Sequence, residues 1–192
     1  LYLCQSAAVP NKLFLQQADG TTREVAADSG IDLLNASRGC LLVDLDNDGD
    51  QDLALTTPYA TLVYANDGTG KFSLAQNISF ASGGYSLTSA DYDNDGDLDL
   101  FVSNMYSKAG NRIISLVGDV DPRIKVSARG NFLYQNTNGR FHQIAKPDAS
   151  ETRTGWSFGG QFADFNNDGT LDLYVPCGLY SAPKEVATEV DL

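Results

Sequence analysis

Short apolar runs alternate with polar turns along this chain, and one arrangement of them keeps returning. Leu53-Ala-Leu55, Leu100-Phe-Val102 and Leu173-Tyr-Val175 are compact apolar segments. A short run precedes each of them: Gly39 to Val43, Tyr85 to Ala90, and Trp156 to Ala163. After the first two comes a further pair of runs. In one repeat these are Thr61 to Ala65 and Lys71 to Leu74; in the next they are Asn131 to Gln135 and Arg140 to Ile144. The turns inside these pairs, Asn66-Asp-Gly-Thr-Gly70 and Asn136-Thr-Asn-Gly139, combine residues that suit hairpin turns. Apolar alternation over a few residues, bounded by such turns, predicts strands. One unit therefore reads as strand, loop, strand, strand, hairpin turn, strand. Four antiparallel strands recurring along a chain predict a β-propeller blade, and the fold class expected is all-β.

The phase of the repeats predicts the organisation. Residues 1–30 are expected to form the second half of a blade, because Leu1-Tyr-Leu3 matches Leu173-Tyr-Val175. Lys12 to Leu15, the turn Ala18-Asp-Gly20 and Thr22 to Val25 then supply its later hairpin. Residues 36–78 and 84–146 each form a whole blade, the second with an insertion at 105–130, and residues 155–192 form a first half. Two whole blades and two halves fall short of the roughly four to eight of a closed ring. The expectation is a partial propeller, completed by remaining blades of the same polypeptide.

Between the first and second strands of three units lies a nearly identical nine-residue loop. The copies are Asp44-Leu-Asp-Asn-Asp-Gly-Asp-Gln-Asp52, Asp91-Tyr-Asp-Asn-Asp-Gly-Asp-Leu-Asp99 and Asp164-Phe-Asn-Asn-Asp-Gly-Thr-Leu-Asp172. Side-chain oxygens fall at loop positions 1, 3, 5 and 9, with glycine at position 6 to permit a tight or left-handed backbone. Carboxylates this dense repel one another unless they share a cation. Calcium suits them, because it accepts six to eight oxygens of mixed type. The predicted side-chain ligands are Asp44, Asp46, Asp48 and Asp52; Asp91, Asp93, Asp95 and Asp99; and Asp164, Asn166, Asp168 and Asp172. Position 7 is expected to offer its backbone carbonyl, from Asp50, Asp97 and Thr170, with the Asp50 carboxylate left in solvent. Asn166 makes the third of these three Ca²⁺ sites less charged and weaker.

An EF-hand opens with the same signature, but it needs a glutamate at position 12 and flanking helices. Leu55, Val102 and Val175 stand at that position, within strand-like runs. Magnesium keeps more of its waters, and zinc or copper would want histidine or cysteine ligands.

Charge follows the loops. The net charge is −12, and 13 of the 25 acidic residues lie in the 27 loop positions, so three bound Ca²⁺ would halve the total. This acidity offers no basic footprint for nucleic acid, and no apolar stretch of about 20 residues is present to span a membrane. Cys4, Cys40 and Cys177 show no C-x-x-C spacing and read as small buried hydrophobes.

The loop D-x-[DN]-x-D-G-x-x-D between strands, with the glycine-rich Ser157-Phe-Gly-Gly160 before its third copy, resembles the FG-GAP/VCBS repeats of integrin-α-like propellers. Asn104 to Arg112 and Ala128 to Asn136 resemble, more narrowly, bacterial proteins near the cartilage-acidic-protein (ASPIC/UnbV) group. The resemblance implies a calcium-binding propeller that is extracellular, on the cell surface or periplasmic. It implies a recognition or adhesion scaffold for an extracellular protein or glycan partner, and not an enzyme. The alternatives are an accessory propeller of a secreted carbohydrate-active enzyme and a purely structural spacer.

Other features have plainer readings. The insertion holds Lys108, Arg112, Arg123, Lys125 and Arg129 against Asp119 and Asp121, and is expected to project from the face without metal. Asp121-Pro122 would cap a short helix there. His142, the only histidine, lies in a predicted strand with no nucleophile motif beside it. Trp156, Phe158 and Phe162 suit packing between blades. Asn35-Ala-Ser37 and Asn77-Ile-Ser79 match the glycosylation sequon.

Overall fold

Among the described residues, thirteen strands form four antiparallel sheets that follow one another along the chain. The computed structural model describes residues 1–5, 8–79, 84–117, 121, 128–144 and 152–177. The first sheet has the order β1 (Tyr2–Leu3), β2 (Lys12–Gln16), β3 (Thr22–Glu24), followed by the single helical turn α1 (Ala26–Ser29). The second is a four-stranded meander of β4 (Cys40–Val43), β5 (Asp52–Thr56), β6 (Thr61–Asn66) and β7 (Phe72–Ser79). The third repeats it with β8 (Ser86–Ala90), β9 (Asp99–Ser103), β10 (Phe132–Thr137) and β11 (Arg140–Gln143). The last pairs β12 (Gln161–Ala163) with β13 (Asp172–Tyr174). The chain is a partial β-propeller of successive four-stranded blades, as its pattern predicts.

The middle strands are short continuous apolar runs because both of their faces are covered. Successive side chains of a strand point to opposite faces. Leu53 and Leu55 enter a cluster with Tyr2, Leu13, Val25 and Ile31 of the N-terminal sheet, while Ala54 enters another with Leu100, Val102, Phe132 and Tyr134 of the next blade. Leu62 and Tyr64 divide from Val63 in the same way. In β9, Phe101 turns away from Leu100 and Val102 and meets the edge of Phe162 at 6.3 Å between ring centres. Each blade thus forms half of two cores.

Close approach explains two glycines. A Cβ on Gly160 would lie 2.5 Å from Cε1 of Phe101, so the glycine-rich run ahead of the third loop lets one strand lie flat on the neighbouring ring. The β10–β11 turn is the two-residue Asn138-Gly139, with φ of 52° and 77°. Two left-handed residues make the turn whose twist matches a hairpin. It is tighter than the four-residue turn expected, and β10 correspondingly runs on to Thr137.

The insertion holds an unexpected helix, α2 (Lys108–Leu116), in the connection that leaves β9 at the end away from its loop. Ser107 caps it, its Oγ accepting from the Gly110 N–H at 2.9 Å. Pro122 and the short helix expected after Asp121 lie outside the described residues, as do Arg123, Lys125 and residues 178–192. His142 is exposed on β11. The cysteines depart from expectation: Cys4 and Cys40 are only half-buried and Cys177 is exposed. No helix among the described residues is long and apolar enough to cross a membrane.

Candidate metal centres

Each acidic loop bridges the first two strands of its unit: β4 to β5, β8 to β9, and β12 to β13. Two left-handed residues curl all three. Gly49, Gly96 and Gly169 at position 6 have φ of 94°, 94° and 87°. The residue at position 4 is also left-handed, with φ of 62° at Asn47, 60° at Asn94 and 58° at Asn167. Asparagine tolerates this region better than most residues. Its recurrence at position 4 of all three loops is the signal that the sequence carries for this turn.

The curl brings carboxylates together. Asp44, Asp46 and Asp48 each place an oxygen within 4.8 Å of the others, and so do Asp91, Asp93 and Asp99. Backbone amides inside the curl hold them: the Gly49 N–H donates to Asp44 Oδ2 at 3.0 Å and the Gly96 N–H to Asp91 Oδ2 at 3.0 Å. Asp44 Oδ1 and Asp50 Oδ1 are sealed from solvent with no hydrogen-bond partner among the described residues. Unpartnered oxygens in an all-oxygen donor set fit a hard cation such as calcium. Asp95 is drawn into the second loop by the Asp97 N–H, which donates to its Oδ1 at 3.0 Å.

Position 9 does more than the sequence suggested. Asp52 and Asp99 are buried, and each has both oxygens engaged by backbone amides. Asp52 accepts from the Leu45 and Asn66 N–H groups, each at 2.9 Å. Asp99 accepts from Tyr92 at 3.2 Å and Asn136 at 2.7 Å. This aspartate therefore latches its loop to the third strand of the blade, whether or not it also faces a cation.

Position 7 corrects the expectation of a solvated carboxylate. One Asp50 oxygen is enclosed, and Asp97 is fully engaged. Asp97 Oδ1 accepts from Asn47 Nδ2 at 2.7 Å and Oδ2 from the Asn138 N–H at 2.7 Å. Since Asn47 belongs to the preceding loop, this contact joins two adjacent candidate sites. Asn136 reinforces the junction, its Nδ2 donating to Leu45 O at 2.7 Å and Leu98 O at 3.0 Å.

The third loop is different. Asn166 Nδ2 donates to Asp168 Oδ2 at 2.9 Å, and Asp168 Oδ1 accepts from the Thr170 N–H and Oγ1. Its Asp164 accepts from the Asp168 and Gly169 amides, and Asp172 Oδ2 accepts from Phe165 N–H at 3.1 Å. The charge balance reflects this. Burial first, then neighbouring carboxylates, raises the pKa of Asp46 and Asp50. Burial raises Asp52 and pushes Asp99 up to about 6, against the opposing hydrogen bonds. In the third loop, hydrogen bonds from Gly169 to Asp164 and from Thr170 to Asp168 hold both below the ordinary carboxylate value. Carboxylate repulsion thus adds to burial at Asp46 and Asp50, whereas internal hydrogen bonds hold Asp164 and Asp168 in the third loop.

A family model of the FG-GAP-like repeat matches residues 44–102 and 123–175, a span that takes in all three loops. The chain belongs to the FG-GAP-like repeat family. The first FG-GAP match opens on Asp44, and the second closes on Val175, just past the third loop. No curated protein matches the chain.

Proposed function

We propose that this FG-GAP segment is a calcium-stabilised recognition scaffold of an exported protein. The observation that carries the reading is the pair of three-carboxylate clusters, with the enclosed, unpartnered Asp44 Oδ1 beside the first. Asp44, Asp46, Asp48 and Asp52 would hold one ion, with Asp50 beside them. Asp91, Asp93, Asp95 and Asp99 would hold another, with the Asp97 carbonyl. Asp164, Asn166, Asp168, Asp172 and the Thr170 carbonyl would hold a third more weakly, because oxygens there already have internal partners. Bound calcium supplies charge neutralisation; the residues supply the curl and its latch to the third strand.

Weak calcium loops of this kind suit the calcium-rich exterior of a cell, where modules bind at roughly 10⁻⁴–10⁻³ M. The ion plays a structural part in this reading and the chain is not itself a catalyst. The finer likeness to the ASPIC/UnbV group rests on residues 104–112 and 128–136. A half-open cavity of about 380 Å³, lined by Arg23, Asp28, Asn66 and Lys71 among others, is where a small polar glycan unit would be sought first.

Equilibrium dialysis with ⁴⁵Ca tests the metal. Two sites with millimolar or tighter affinity are expected. Asp46→Ala and Asp93→Ala should each remove one, while Asn166→Ala leaves both. Absence of binding at about 10 mM calcium, well beyond the weak end of such modules, would defeat the proposal. A glycan array probed with and without calcium then separates a recognition scaffold from a spacer.

A further inference from the structure

A buried polar network ties the N-terminal sheet to the segment that leads into the β4–β7 blade, and two thiols lie beside it. Asn11 is fully buried. Its Nδ2 donates to the Tyr2 hydroxyl at 2.9 Å and to Ser37 Oγ at 2.8 Å, and its Oδ1 accepts from the Gln5 N–H at 2.8 Å. The Tyr2 hydroxyl donates in turn to Ile31 O at 2.9 Å, and the Ser37 N–H to Gln5 O at 2.9 Å. These contacts bracket Cys4, which lies between Tyr2 and Gln5, and hold Ser37 three residues ahead of Cys40. The Cys40 thiol lies 3.9 Å from Tyr2 O, in the chain segment that carries Cys4. Both cysteines pack against the cluster of Tyr2, Leu13, Leu53 and Leu55. The two thiols lie close enough for each to shift the other's ionisation.

We propose that Cys4 and Cys40 are a disulfide-forming pair that clips the N-terminal sheet to the following blade. The oxidant is a disulfide, either a small one such as glutathione disulfide or that of a thiol–disulfide oxidoreductase. The Cys40 thiolate attacks one sulfur of the oxidant, whose S–S bond breaks and releases one thiolate. Cys4 then gives up its proton and attacks Cys40 Sγ, expelling the second thiolate. The pair loses two electrons and two protons, and the oxidant leaves as two thiols. The neighbouring Cys4 thiol holds Cys40 below the ordinary cysteine value, which makes Cys40 the attacking group.

The polar network matters because it holds the two chain segments near each other before any bond forms. The bond would enclose the segment between residues 4 and 40, which contains the whole β2–β3–α1 unit. Cys177 is exposed and packs against Thr154 O in the last unit, which makes it an internal control.

The test treats reduced protein with glutathione disulfide and maps it by mass spectrometry without reduction. A chain lighter by two hydrogens, with the Cys4 and Cys40 peptides joined, is expected. The oxidised chain should melt about 5–10 °C above the reduced one. Cys177→Ser should keep that increment and Cys40→Ser should abolish it. Persistence of three free thiols, glutathione adducts that stop at Cys4 or Cys40, or a bond to Cys177 would each overturn the assignment. The wild-type peptide map decides the matter even if Cys40→Ser folds poorly.

Discussion

Asn136 is where the contact between successive blades is most exposed to a single substitution. Its side chain is buried, and its Nδ2 serves two carbonyls at once, Leu45 O in the first loop and Leu98 O in the second. Asn136→Ala removes both donors and leaves two carbonyls unpaired, each costing about 1–3 kcal/mol. The variant also deletes Oδ1, which has no partner among the described residues, and that offsets part of the loss. A net destabilisation of about 2–4 kcal/mol follows. The backbone bond from Asn136 to Asp99 is untouched, so the latch itself survives.

Asn66 is the matching residue of the preceding blade and supplies the control. Its amide donates to Gln51 O at 3.1 Å in an exposed position and accepts from the Gly70 N–H at 3.0 Å. Water can replace those partners, so Asn66→Ala should cost about 0.5–1.5 kcal/mol. In a chain of this length 1 kcal/mol moves the melting point by about 2–4 °C. Asn136→Ala should therefore melt about 5–15 °C lower than wild type, and Asn66→Ala no more than about 5 °C lower. Urea unfolding monitored by fluorescence of Trp156, the single tryptophan, gives the same comparison at constant temperature. Equal costs for the two variants, within about 0.5 kcal/mol, would refute the claim that Asn136 carries the junction.

Three further outcomes are expected. If two sites bind calcium at roughly 10⁻⁴–10⁻³ M, 5 mM calcium adds about 1–2 kcal/mol per site, and excess EDTA should lower Tm by about 5–15 °C. An unchanged melt in protein shown to be metal-free would count against structural calcium. The metal-free chain should be more stable at pH 5 than at pH 7. Asp99 rises from 3.8 to about 6 on folding, so the native state binds the extra proton and its contribution is lost as pH rises through about 6. Saturating calcium should reverse this order, because the ligands must be ionised to bind it; melts at the two pH values, with and without calcium, read both signs. Gly160→Ala drives a methyl into the Phe101 ring and should cost about 1–3 kcal/mol in urea unfolding.

The sequence carried much of this, for local reasons. The compact apolar runs Leu53-Ala-Leu55 and Leu100-Phe-Val102 announced strands, and the stacked blades showed that both of their faces are buried. Asn-Gly at 138 and 139 announced a hairpin, and its turn is two residues shorter than the Asn136 to Gly139 run suggests. The curl of each acidic loop needs left-handed backbone at positions 4 and 6, and asparagine and glycine stand there every time. These are properties of a few adjacent residues, set by backbone sterics and side-chain alternation, and so they can be read without the fold.

What joins one repeat to the next could not be read that way. Asp52 and Asp99 are the same letter at the same position as Asp172. Yet only contacts to Asn66 and Asn136, 14 and 37 residues away, make the first two into latches to a third strand. Asn47 and Asp97 meet 50 residues apart, and Cys4 meets Cys40 only because one sheet lies against the next. The third loop lacks the aspartates of the others at two positions, where Asn166 and Thr170 stand, but its side chains had to be placed to show that they satisfy one another. Local conformation follows from neighbours in the chain, whereas partnership between distant polar groups depends on burial, and burial is decided only when the blades stack. The sequence alone determined the repeat and its acidic curls; the tertiary structure decided which carboxylate oxygens find a partner in the protein and which, among the described residues, do not.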